Sequence, residues 1–141
     1  MIVVDTNIIG YLHLTSPHSE LAEQVLKQDP HWVAPLLWRS ELRNVLALYM
    51  RQGLLYLDQA LAIMDGAMDL MRDGEYEVAS HSVVRLAHQS NRSAYDCEFV
   101  ALAEDLQVQL VTADARLRTA FPERTVSPEA FCAQSRSPDG Q

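Results

Sequence analysis

Two short apolar runs, each closed by an aspartate, limit most strongly what this chain can fold into. MIVVD spans residues 1–5 and QLVTAD spans residues 109–114. A run this short without polar alternation reads as a strand covered on both faces, the setting of a central strand in a parallel sheet. Between the two, helical periodicity alternates with further short strands. A helix is expected from Thr6, and Pro17 separates it from another over 18–28. Trp32 to Ala34 forms a brief strand, and Pro35 sits in the first turn of a helix that Gly53 stops after Gln52. Helices follow over 57–72, 80–89 and 93–106, with a strand at 75–79, a strand from Gln109 to Thr112 and a short helix from Ala115. Alternation of this kind defines an α/β fold with a mainly parallel sheet.

At 141 residues and 48% apolar content, the chain suits one domain with a buried core. It has no apolar run long enough to span a membrane, and its start lacks the basic and long apolar stretches of a signal peptide. Cys97 and Cys132 form neither a disulfide framework nor a metal motif, so a reducing cytoplasm is the expected setting. From residue 132 the chain has little to bury, and 132–141 is expected to be a disordered tail.

The formal charge of −8 argues at first against a nucleic-acid partner. The charge is uneven, however. Residues 57–77 hold six acids against Arg72 alone, whereas residues 36–52 hold Arg39, Arg43 and Arg51 against Glu41. The helix over 57–72 carries two apolar stripes, Leu57, Leu61, Met64, Met68 and Met71 beside Ala60, Ile63, Ala67 and Leu70. One is expected to fill the core and the other to meet a second subunit. The methionines read as packing residues.

Four carboxylates stand out. Asp5 and Asp114 each follow a strand and precede a helix, where an aspartate also serves as an N-cap. Ser93-x-x-Asp96 fits a loose capping box. Glu41 lies among apolar residues on its helix, with successive positions turning by about 100°, while Arg39 and Arg43 point roughly away. A buried carboxylate needs a partner, a metal or a proton. A salt bridge to an arginine is the plain alternative, and Asn44 one turn on is placed to orient it. In an open α/β sheet, ligands gather beyond the carboxyl ends of strands where strand order reverses, so adjacent strands would bring Asp5 and Asp114 together. Glu98 falls about 160° from Asp96 on the same helix, near Asp105, and reads as a solvated surface residue. Unit charges about 4 Å apart repel by roughly 4 kcal/mol at an effective dielectric near 20, so a cluster of such acids calls for a cation. Oxygen ligands favour Mg²⁺ or Mn²⁺, and without histidine or cysteine spacing zinc is not expected.

VVDTNII, SELRNVL, YDCEFVALAEDL and LVTADARL, in that order, resemble the PIN-domain family over residues 1–131, and the size is similar to single-domain VapC-type toxins. The resemblance implies a three-layer PIN-like sandwich with a five-stranded parallel sheet. It also implies Mg²⁺- or Mn²⁺-dependent endoribonuclease activity, an antitoxin partner and a homodimer. By motif position it makes Asp5, Glu41, Asp96 and Asp114 the metal-binding acids, with Asn7 and Thr112 in support. Arg39 and Arg43 then either contact RNA phosphates or simply face solvent. A phosphohydrolase, a DNA nuclease or a catalytically idle interaction module would use the same residues differently.

Overall fold

The computed structural model describes residues 1–134. Strand β1 (Ile2–Val4) is buried along its whole length, as its unbroken apolar run requires. It lies at the centre of a sheet of order β3-β2-β1-β4-β5, with β2 Trp32–Pro35, β3 Glu75–Tyr76, β4 Leu110–Val111 and β5 Thr125–Val126. Every pairing is parallel, and β1 joins β2 through Val3 opposite Val33 and β4 through Val4 opposite Val111.

From β1 the chain moves first towards β2 and β3, then crosses back to β4 and β5. With right-handed crossovers, this reversal puts the connecting helices on opposite faces. The helices group accordingly. On one side α1 (Thr6–His13) meets α3 (Leu37–Arg51) and α4 (Leu57–Met71), and α2 (Ser19–Gln28) packs on α1. On the other, α5 (Ser80–Ser90) packs on α6 (Ala94–Leu106), which lies along β1, β2 and β4. The buried centre of α6, from Phe99 to Ala103, fills the space against the sheet. Helix α7 (Ala115–Ala120) follows β4.

Three details differ from the reading of the sequence. Pro35 is the last residue of β2, opposite Tyr76, rather than part of a helix. A proline is tolerated at a strand end because no ladder bond there needs its missing N–H. Glu75–Tyr76 forms a strand of only two residues instead of one reaching 79. After Phe121, β5 and then α8 (Pro128–Gln134) complete the fold, so helix extends three residues into the segment expected to be a tail. The remainder of that segment, 135–141, lies outside the described residues.

Gly53 ends the region of α3 as expected, at φ 75°, where a side chain would be strained. In α4 the stripe of Ala60 and Ala67 is buried together with Met71, whereas Leu57 and Leu61 are exposed. Leu48, Leu54 and Tyr56 are exposed as well. No helix among the described residues is long and apolar enough to cross a membrane.

Candidate active site

The reversal point of the sheet lies between β1 and β4, and a cleft of about 280 Å³ opens there, lined by Asp5, Glu41, Asp96, Asp114 and Asn7. The four acids come from four elements. Asp5 follows β1, Asp114 follows β4, Glu41 is in α3 and Asp96 is in the first turn of α6.

Capping and site membership turn out to be compatible. Asp5 is the N-cap of α1, where its Oδ1 accepts from the Ile8 N–H at 3.2 Å. Its Oδ2 accepts from the Thr112 hydroxyl in a short bond. Asp114 is the N-cap of α7 and uses a single oxygen, Oδ1, to accept from the Arg116 and Leu117 amides. For α6 the cap is Ser93, whose Oγ accepts from the Asp96 N–H at 3.0 Å. Three helix N-termini thus meet at the cleft, and their dipoles favour negative charge there.

Among the described residues, Glu41 makes no ion pair with an arginine. Its Oε1 accepts from the Thr6 hydroxyl at 2.6 Å. The buried stripe of α3 is Trp38, Leu42 and Leu46, so Glu41 lies at the margin of that stripe, half-buried and facing the cleft. Thr6 and Thr112, both buried, each hold one of the four acids. Thr112 also accepts from the Asp114 N–H at 3.0 Å, tying the two strand-end aspartates into one network. Thr6 had no signal in the sequence beyond its place beside Asp5. Asn7 is exposed at the rim of the cleft.

Burial raises the proton affinity of Asp5, Glu41 and Asp96. It pushes Asp5 up to about 6, against the opposing hydrogen bonds from Thr112 and the Ile8 and Ala113 amides, with Asp114 adding a further upward push. Burial also raises Glu41, which Asp96 and Glu98 raise further while the Thr6 hydroxyl lowers it. Asp96 is raised by burial and by Asp114, with Ser93 and Arg92 acting in the other direction.

Two expectations are corrected here. Glu98 is half-buried, its carboxyl raised by burial, and it acts on Glu41, so it is not a solvated residue remote from the cluster. Arg39 neither awaits a phosphate nor stands free in solvent. It donates from Nε and Nη2 to both oxygens of Glu75 at 2.5 and 2.7 Å, and Trp38 Nε1 donates to the same carboxylate. The pair joins α3 to β3, and Glu75 is held below the usual carboxylate range, chiefly by Arg39. Arg43 is exposed.

The donor set is all oxygen and anionic, which fits a hard divalent cation and not zinc. Among the described residues, no group of three His, Cys, Asp or Glu side chains is already disposed to hold one ion. The fit is therefore one of donor chemistry.

An all-parallel five-stranded sheet with acids at its reversal point defines a known class. Residues 2–121 match the PIN domain, and the chain belongs to that family. A relative, Ribonuclease VapC3 of Pyrobaculum aerophilum, is 29% identical over 124 residues, covering 86% of this chain and 95% of the relative. Solved structures share the fold at lower identity. The protein PAE2754 of Pyrobaculum aerophilum superposes with a TM-score of 0.73 at 20% identity, covering 94% of each chain. The structure of FitAcB from Neisseria gonorrhoeae gives 0.72 at 17%, covering 92% of this chain and 99% of that one. A toxin–antitoxin complex from Klebsiella pneumoniae gives 0.69 at 18%, covering 91% and 98%.

Proposed function

We propose that this protein is a divalent-metal-dependent endoribonuclease, the toxin of a type II toxin–antitoxin pair acting in the cytoplasm, with residues 1–131 as its nuclease domain. The observation that carries this reading is the convergence of Asp5, Glu41, Asp96 and Asp114, from four elements, on one cleft at the reversal point of the sheet. The relative named a ribonuclease and the neighbour described as a toxin–antitoxin complex support it.

In this reading Asp5, Asp96 and Asp114 hold Mg²⁺ or Mn²⁺, and Glu41 holds a second ion or orients a water. A bound divalent cation supplies Lewis acidity, polarising the phosphate and lowering the pKa of water. The chain itself does the positioning. Thr112 fixes one oxygen of Asp5, Thr6 fixes one oxygen of Glu41, and Asn7 reaches the cleft from the start of α1. Burial raises the proton affinity of Asp5, Glu41 and Asp96 in the metal-free chain, so a bound cation would displace protons from them.

The net charge of −8 does not prevent RNA binding here, because cations stand beside the cleft. Arg116 is exposed two residues after Asp114, Arg92 acts on Asp96, and Arg43 is exposed beside Asn44 of the cleft wall. Phosphate contacts of this kind position the strand without reading its sequence. The exposed Leu48, Leu54, Tyr56, Leu57 and Leu61 support a protein partner, and a homodimer and an antitoxin both belong to this reading.

Incubation of the protein with a single-stranded RNA tests the proposal. Internal cleavage is expected with Mg²⁺ or Mn²⁺ and none with a chelator. Cleavage of DNA or of small phosphate esters in place of RNA would overturn it.

A further inference from the structure

We propose that a second cavity, beside α1, is a nucleobase subsite that seats one base of the RNA next to the bond being cut. It rests on the nuclease reading above. The cavity measures about 250 Å³ and shares Thr6, Asn7 and Val45 with the carboxylate cleft, so a strand held at one reaches the other. Three rings line it, from Tyr11, His18 and Tyr49. Tyr11 and His18 already lie with ring centroids 4.6 Å apart and planes tilted by 32°. Both tyrosines are half-buried, packed against the core while also lining the cavity.

The chemistry of the walls selects the occupant. Among the described residues, no Lys, Arg, Asp or Glu lines the cavity, so no fixed charge there draws in a phosphate. Rings and apolar walls suit a flat heteroaromatic face, while Asn7, Thr15 and Ser16 offer polar atoms for its edge. Single-stranded RNA presents that combination, an unstacked base with hydrogen-bonding edges. Stacking on aromatic side chains tolerates any base, since every base has a π face.

Gly10 supplies an independent observation. It lies inside α1, is buried, and lines the same cavity. A Cβ there would stand 3.8 Å from Leu14 Cδ1 and 3.9 Å from Leu42 Cδ1, ordinary contact distances to two residues that also line the cavity. Its φ is not positive, so neither backbone nor packing requires glycine. Alanine would favour the helix. On this proposal the glycine keeps room in the cavity that it lines. A residue that weakens its own helix without a packing reason marks a site kept open for function.

The test uses the full chain without divalent metal, its aromatic side chains labelled with ¹³C for NMR, titrated with uridine or adenosine and, as the baseless control, ribose. The nucleosides are expected to shift the ring signals of Tyr11 and Tyr49, and ribose is not. Gly10→Ala is expected to melt at a higher temperature and to lose those shifts at the same nucleoside concentration. Equal shifts with ribose, rings unmoved by nucleosides (the result for a cavity that serves a protein partner), or undiminished shifts in Gly10→Ala would overturn the subsite. Failure of the nuclease reading looks different. A wild-type chain that binds nucleosides but cleaves no RNA with Mg²⁺ loses that reading and keeps the base site. One that cleaves RNA without base-dependent shifts loses the subsite alone.

Discussion

Asp96→Asn is expected to lower RNA cleavage at least about a hundredfold while the protein stays folded, since under the proposed function it removes a charged ligand of the divalent cation. Folding survives because the cap of α6 is the Ser93 hydroxyl accepting from the residue 96 amide, which the substitution leaves in place. The substitution also removes a charge that burial and Asp114 both disfavour. Glu98 cannot serve as the matched control, because its charge acts on Glu41. Glu104, exposed near the other end of α6, does serve. Glu104→Gln removes the same charge from the same helix and should leave the rate within a factor of about two. Rates measured under single-turnover conditions with Mg²⁺ check this. Equal losses in both variants would attribute the effect to bulk charge, and no loss in either would leave Asp96 as a helix-start residue only.

The second large effect is on stability, and its sign depends on pH. In the folded chain Asp5 sits at about 6, above its ordinary value of 3.8. Below pH 3.8 the group is protonated whether the chain is folded or not, so its titration contributes nothing. Between the two values the unfolded chain releases a proton that the folded chain retains, and stability falls as pH rises. Above the folded value the full penalty applies, about 3 kcal/mol for a shift of roughly two units. Asp5→Asn removes that penalty but weakens the cap to Ile8 and the bond from Thr112, at about 1 kcal/mol or more. Without metal, the variant is therefore expected to exceed wild type by about 1–2 kcal/mol at pH 8 and to fall below it at pH 3.5. Denaturant unfolding at the two pH values, in chelator, measures the crossover. A variant less stable than wild type at both would mean that Asp5 is chiefly a cap.

The sheet was legible where apolar runs announce buried strands. MIVV and QLV marked β1 and β4, and their adjacency brought Asp5 and Asp114 together as the strand-end rule requires. Strand β5 was not legible. Thr125–Val126 stands between Pro122 and Pro128 without an apolar run, and it pairs because the Leu110 amide donates to Arg124 and the Thr112 amide to Val126. Such pairing is decided by the neighbouring strand and not by local propensity. Glu41 could be found because a carboxylate among apolar helical positions demands an explanation. Its partner Thr6 could not, since a hydroxyl after an aspartate has no distinctive pattern. Arg39 and Glu98 failed for a shared reason. A helical wheel measures angles on one helix and ignores what its neighbour brings, here Glu75 from β3 to Arg39 and Glu41 from α3 towards Glu98.

The proposed function makes Asp5, Glu41, Asp96 and Asp114 one divalent-cation site, with burial raising the proton affinity of the first three. Calorimetric titration of the chain with Mn²⁺ near pH 6, in two buffers of different ionisation enthalpy, tests it most directly. Saturable binding with net proton release is expected, since a cation must displace protons that Asp5 holds at this pH. Asp96→Asn is expected to weaken the binding. Heats that are independent of buffer, or binding of the same strength in the variant, would contradict it.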